Sequence, residues 1–255
     1  MPRARAVWEW LKDLRSRDNP PDLVDQLLPD GTEMMMLTGR PQTGKTNMVL
    51  DLGLCLATGT PFLGLFKCRK VPVTYLGFEG APVKLGERLE RLLPSYPNPG
   101  DYFRFESLPP MRIDQQTREL MSYVEGSKVV IFDSLKHLVS GDYCKPEFAH
   151  AFLAALKQVS QTLQISTILC HHVRKSHPGI RVEPDDLFQI KGAADYVETA
   201  TTALLLEKMK RTTDHYVLHF LKARDALEEL APLELFFNRS TLRFEFQRKL
   251  NPESL

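Results

Sequence analysis

Gly39-Arg40-Pro41-Gln42-Thr43-Gly44-Lys45-Thr46 is the stretch on which the reading of this chain turns. It fits Gly-x-x-x-x-Gly-Lys-[Ser/Thr] at every fixed position, and each position has a physical reason. Glycines let the backbone wrap until its N–H groups point inward at phosphate oxygens. A helix that begins at Lys45 adds its positive N-terminal end. In such a loop the lysine reaches the β- and γ-phosphates and the Thr46 hydroxyl ligates Mg²⁺. Asn47 follows in the same turn, so the expected cradle runs from Gly39 to Asn47. Context separates this from a chance Gly-Lys-Thr turn: an apolar run, Met34 to Leu37, stands before it and a helical pattern after it. The expected ligands are ATP and Mg²⁺.

Outward from the loop, strand-like and helix-like segments alternate. Lys45 to Thr58 reads as a helix closed by Gly59, apolar on most sides and so buried. Val71 to Phe78 is β-rich. Residues 82–93 place Leu85, Leu89, Leu92 and Leu93 on one helical face, with Arg88 and Arg91 off it. Phe103 to Glu106 reads as a strand and Thr117 to Val124 as a helix. Val129 to Phe132 is a continuous apolar run of the kind buried in a parallel sheet. Pro146 suits a first helical turn, and Phe148, Phe152, Leu156, Val159 and Leu163 follow at helical spacing. Ile165 to Cys170, Ala203 to Leu206 and Tyr216 to Leu221 read as strands. Leu233–Phe237 and Leu242–Phe246 flank Asn238-Arg239-Ser240, a closing hairpin. The fold class is therefore α/β: a mainly parallel twisted sheet flanked by helices, with antiparallel C-terminal strands.

Composition bounds the partners. Lys plus Arg is 33 against 32 for Asp plus Glu, a net charge of +1, so no broad basic surface for nucleic acid is present and any such site must be local. No apolar run is long enough to span a membrane. The N-terminus is basic but mixes in Glu9 and Asp13 and lacks the pattern of a signal peptide. Cysteines at 55, 68, 144 and 170 form no Cys-x-x-Cys pair, which suits reduced thiols in the cytoplasm. Asn238-Arg239-Ser240 also matches a glycosylation acceptor, a chance match in a chain with no export pattern. Val7, Trp10, Leu11 and Leu14 make a helical stripe before Asn19-Pro20-Pro21. Residues 1–19 read as a helical arm and 20–255 as one ATPase domain. The favoured place for the arm is against its own domain, the other a neighbouring subunit.

Two acids end strands. Asp133 closes Val129 to Phe132, where it can hold the Mg²⁺ shell or cap a helix ahead of Ser134. Glu79 closes Val73 to Phe78, where it can orient and deprotonate an attacking water or sit as an exposed acid near a helix start.

The order of these parts resembles the RecA-like P-loop ATPases, and within them the RepA-type hexameric replicative helicases of plasmids and phages. The matching pieces span roughly residues 20–246: PPDLVDQLLPDG, GRPQTGKT, TGTPFLG, YLGFEGAPVKLGERLERL, VVIFDSL, CHHVRKS, IKGAADYVETATTALLL and FLKARD. The phosphate loop is specific only to its broad class; the ordered set carries the resemblance. It implies that Glu79 activates water and that the His171–His172 pair senses the γ-phosphate, His172 being favoured over His171. It also implies that Lys222 and Arg224 reach the nucleotide of a neighbouring subunit, and an arginine in that role contributes roughly 10³–10⁵ in rate. Without it, the histidines read as a strand-end cluster and Lys222 and Arg224 as salt-bridge partners. Arg174, Lys175 and Arg181 form a basic stretch, which reads equally as a DNA-facing loop or as a solvated one. Only about 30 residues precede the core, too few for a primase-recruiting domain. The resemblance thus implies a stand-alone motor core: a ring, a hexamer by that likeness, that hydrolyses ATP and acts on single-stranded DNA in replication. A loader or regulatory ATPase of replication or recombination, and a nucleotide-gated assembly protein without DNA, are the other readings.

Overall fold

The computed structural model describes residues 6–16, 20–172, 194–210 and 212–251. Nine strands among these form one sheet in the order β3-β2-β4-β5-β1-β6-β7-β8-β9. The first six neighbours are parallel: β3 (Phe103–Ser107), β2 (Val73–Gly77), β4 (Val129–Asp133), β5 (Ser166–His172), β1 (Met34–Gly39) and β6 (Thr202–Lys208). The last three, β7 (His215–Ala223), β8 (Leu233–Asn238) and β9 (Arg243–Lys249), are antiparallel. This is the expected sheet with its antiparallel extension.

Helices cover both faces, so the central strands alternate between two apolar cores rather than between core and water. Met35, Leu37, Val129, Ile131 and Ile168 pack on one side, under α2 (Lys45–Thr58) and α3 (Pro82–Leu92). Met34, Met36, Val130, Phe132 and Leu169 pack on the other, under α4 (Thr117–Val124), α5 (Pro146–Leu163) and α6 (Ala194–Thr199). Each strand thus reads as a continuous apolar run because each face meets a helix. The α2 helix is buried almost throughout, as its composition predicts.

Some elements depart from the sequence reading. Pro72 lacks an N–H, and β2 begins only at Val73; the Pro72 carbonyl instead accepts from Lys128 and Val129. Leu93, expected on the buried face of α3, is 37% exposed because the helix tightens into a 3₁₀ turn there. The closing hairpin turns over residues 239–242, with Asn238 Oδ1 accepting from the Ser240 N–H at 3.0 Å and the Ser240 hydroxyl at 2.6 Å. The N-terminal arm, expected to pack on its own domain, forms a helix that leaves several apolar side chains exposed. In α1 (Val7–Ser16), Val7, Trp8 and Trp10 are 60%, 74% and 47% exposed. An amphipathic helix forms there, but no described part of the domain covers these side chains. No helix among the described residues is long and apolar enough to cross a membrane.

Candidate nucleotide site

The site lies where the parallel strands end. β1 stops at Gly39, the chain turns through residues 40–44, and α2 starts at Lys45. Gly44 takes φ +89°, the left-handed region that glycine occupies without steric cost, and a side chain there would also meet the Phe244 ring at 2.9 Å. Gly39 is required by space. A Cβ there would lie 2.6 Å from the Leu206 carbonyl oxygen of β6 and 2.9 Å from Thr43 Oγ1. Thr43 Oγ1 donates to the Arg40 carbonyl at 2.9 Å, which ties the loop to itself.

Lys45 is buried, and its Nζ donates to the carbonyls of Gly39 at 3.0 Å and Arg40 at 2.9 Å. Burial lowers its pKa, against the opposing pull of nearby Asp133 and Glu79. The Thr46 hydroxyl donates to Asp133 Oδ2 at 2.6 Å, and the buried Tyr75 phenol donates to the same oxygen at 2.9 Å. A hydroxyl and a carboxylate meeting at the foot of a phosphate loop form a hard oxygen donor set, which suits Mg²⁺ completed by phosphate oxygens and water. No group of three or more His, Cys, Asp or Glu side chains among the described residues could hold a metal by itself.

Glu79 stands two residues beyond the end of β2. Its Oε1 accepts from Lys136 Nζ at 2.8 Å and, in a close contact, from Ser134 Oγ; His137 Nε2 lies at 3.1 Å and His172 Nε2 at 3.7 Å. These groups hold the carboxyl well below the usual carboxylate range, His172 foremost and then Lys136 and Ser134, against the opposite pull of burial. All four contacts converge on Oε1.

The histidine pair is split by strand alternation. His171 is buried, with its ring 5.7 Å from Tyr143 and 5.8 Å from Tyr196. His172 points the other way, into the cleft. That cleft, about 490 Å³, brings together the phosphate loop, Glu79, Asp133 and His172, and adds Arg88 of α3, Tyr216 of β7 and Phe237 of β8.

Lys222 and Arg224 are not in it. Because β7 runs antiparallel to β6, Tyr216 pairs with Lys208 near the cleft and Lys222 pairs with Ala203 at the far end. The six residue steps from Tyr216 to Lys222 span roughly 20 Å of strand. There Lys222 Nζ donates to the carbonyls of Val197 and Glu198 at 2.9 and 2.8 Å, and Arg224 donates to that of Glu198 at 3.1 Å. Both cap the C-terminal end of α6, in place of the side-chain salt bridge otherwise expected. Arg174, Lys175 and Arg181 lie outside the described residues.

Sequence reasoning missed Arg88, Tyr216, Phe237, Lys136, Ser134 and Tyr75. Spacing assigns Arg88 correctly to the non-core face of α3, but that face looks onto the cleft. Lys136 and Ser134 follow Asp133 directly, and their closeness to a strand-end acid is the available signal. A second polar cluster anchors the C-terminal strands on α2. Arg243 Nε of β9 donates to Asp51 Oδ1 at 2.9 Å, the Tyr96 phenol donates to the same oxygen, and the guanidinium lies 4.8 Å from the Tyr96 ring. Burial pushes the Asp51 carboxyl up to about 6, although Arg243 opposes it.

Residues 2–178 match the family model described as the AAA domain. No curated protein matches the chain. Among solved structures it is similar to one described as an ATPase domain, with a TM-score of 0.67 at 12% identity over 95% of this chain and 97% of that one. It is similar to a DnaB-like replicative helicase described with its primase interactions, TM-score 0.68 at 13% identity over 94% and 67%. It is also similar to the RadB recombinase, TM-score 0.59 at 16% identity over 87% and 94%. At these identities the likeness is one of fold, and the fold is RecA-like.

Proposed function

The chain belongs to the AAA domain family, and from that premise we propose that it is a Mg²⁺-dependent ATPase that assembles as a ring, a hexamer, and moves on single-stranded DNA in replication. The observation that carries the ATPase reading is the convergence of Thr46 and Tyr75 on one oxygen of Asp133, beside buried Lys45 and ahead of Glu79. The DNA motor reading draws on the solved structures with the same fold, one described as a replicative helicase and one as an ATPase domain.

In this reading the backbone from Gly39 to Thr46 holds the phosphates. Lys45 leaves the Gly39 and Arg40 carbonyls for them, while Thr46 and Asp133 hold Mg²⁺, which neutralises phosphate charge when bound. Glu79 keeps Oε1 on Lys136 and Ser134, so Oε2 is left to orient the attacking water and take its proton. His172, on the next strand but one, reports the state of the γ-phosphate. Lys222 and Arg224, which lie away from their own cleft, complete the site of a neighbouring subunit. Residues 1–19 act as an arm and 20–255 as the motor. Arg174, Lys175 and Arg181 contact DNA phosphates, and the protein works in the cytoplasm.

The test is ATP turnover with and without single-stranded oligonucleotide at low salt, with Lys45→Ala as the control that removes hydrolysis. Light scattering with a nucleotide analogue follows assembly, and release of an annealed strand follows unwinding. The motor reading expects stimulation, a ring and strand release. Stimulation without strand release would favour a loader or recombination ATPase, to which the likeness to the RadB recombinase points. A monomer under every condition would overturn the shared-site mechanism.

A further inference from the structure

Arg88 is a cation with no ion-pair partner among the described residues. It projects from α3 and is half-buried, and among the described residues no hydrogen bond or ion pair reaches its guanidinium. The other cations around it are engaged. Lys45 holds loop carbonyls, Lys136 holds Glu79, Lys84 pairs with Glu87 at 2.8 Å, and Arg91 donates to the Arg239 carbonyl of the closing hairpin. Arg88 borders two spaces: the nucleotide cleft, and a recess of about 250 Å³ between α2 and α3 that Asn47 and Leu242 also line. Asn47 borders both as well, and its Oδ1 is buried without a hydrogen-bond partner.

An unpartnered guanidinium in a cleft is costly unless an acceptor meets it, because a partly desolvated cation loses water without replacement. A guanidinium is also the side chain whose planar fork best matches phosphate oxygens. The position along the nucleotide follows from the walls. Glu79 and His172 mark the end of the cleft where water would attack, and neither lines the recess. Asn47 and Arg88 line both the cleft and the recess, so the recess leads away from Glu79 and His172 along the Arg88 side.

We propose that Arg88 binds the nucleoside-proximal phosphates of the nucleotide held by its own subunit, as a positioning residue. This rests on the nucleotide-binding reading above and adds a contact from α3 to the cradle. A contact to these phosphates is made to ADP as well as to ATP. A group that senses the γ-phosphate is blind to ADP.

The experiment measures the affinity of the full chain for Mg²⁺–ADP and for a non-hydrolysable Mg²⁺–ATP analogue, in the parent, Arg88→Ala and Arg88→Lys. Arg88→Ala is expected to weaken both by a similar factor, about 10- to 100-fold. Arg88→Lys is expected to recover part of the loss, as a cation without the planar fork. KM should rise while kcat changes little. The melting temperature should stay at the parent value, because Arg88 supports no other described residue. Loss for the ATP analogue alone, or equal affinities in parent and Arg88→Ala, would overturn the proposal and leave the nucleotide site standing. A parent chain that bound neither nucleotide would overturn both.

Discussion

Replacing Gly39 by alanine tests the loop geometry at its tightest point. Gly39 carries no unusual backbone angle, so the objection to a side chain there is space alone. The new methyl carbon would stand 2.6 Å from the Leu206 carbonyl oxygen, 2.9 Å from Thr43 Oγ1 and 3.5 Å from Lys45 Cδ. Carbon–oxygen contacts ordinarily begin at about 3.3 Å, so the nearest one falls short by roughly 0.7 Å. The obstructing oxygen is backbone of β6, which pairs with β1 at Gly39↔Leu206. It cannot rotate aside, so either the sheet opens locally or the loop shifts. Overpacking of this kind costs about 1–3 kcal/mol. In a domain of this size that is a melting temperature lower by roughly 2–12 °C. A shifted loop also displaces the Gly39 and Arg40 carbonyls that hold Lys45, so nucleotide affinity should fall about 10-fold or more. The internal comparison is Gly86→Ala. Gly86 lies inside α3 with nothing within 4 Å of a would-be Cβ, and alanine there should stabilise by about 0.5–1 kcal/mol. Thermal unfolding and nucleotide titration of the two variants decide the matter. A Gly39→Ala variant with unchanged melting and unchanged affinity would refute the packing argument.

Other perturbations follow from single contacts. Tyr75→Phe removes a donor to Asp133 but keeps the ring stacked 5.2 Å from Phe105, so the fold should hold. The Mg²⁺ concentration for half-maximal turnover should rise about 10- to 100-fold, and an unchanged Mg²⁺ titration would count against the metal corner. Arg224→Ala should leave nucleotide binding intact and cut turnover by about 10³-fold or more. Should only melting temperature fall, Arg224 is no more than a cap on α6. Asp51→Asn addresses pH. The folded carboxyl at about 6 lies above its ordinary 3.8, so its contribution to stability is complete below 3.8 and is lost as pH rises through 6. The groups facing it are Arg243, Tyr96 and Cys55. Between about pH 4 and 7 the parent should lose about 3 kcal/mol relative to Asp51→Asn, measured by denaturant unfolding. Parallel pH curves for the two proteins would contradict this.

Much of the core was legible because its signals are local. The bounds of α2 and α4 follow from periodicity and terminating residues, and β4 from an unbroken apolar run. Glu79 and Asp133 were legible for a related reason: a parallel sheet collects its strand ends at one edge, so acids that close two strands arrive together. What stayed hidden depends on neighbours far away in sequence. Tyr216 and Phe237 read only as ends of late strands, and the order β1-β6-β7-β8 is what sets them beside the phosphate loop. Arg88 sits off the apolar stripe of α3, and spacing does not distinguish a face turned to solvent from one turned to a cleft. The exposure of Trp8 and Trp10 is of the same kind. An amphipathic stripe announces a helix that wants a partner and is silent about which surface supplies it.

The antiparallel extension gives the sharpest division of roles. It supplies Tyr216 and Phe237 to the cleft at one end of its strands and places Lys222 and Arg224 at the other. Both cations donate to the carbonyls that end α6, where positive charge is favoured, so a structural reason for them already exists within the subunit. A residue whose whole role is to cap those carbonyls should be replaceable by any donor that reaches them. A residue that serves a neighbour's phosphates should not, because the planar fork of arginine is then the point. Arg224→Lys therefore carries more information than Arg224→Ala. Under the capping role it should melt like the parent and turn over like the parent. Under the shared-site role it should melt like the parent and still lose most of its turnover, with the loss appearing only where subunits assemble.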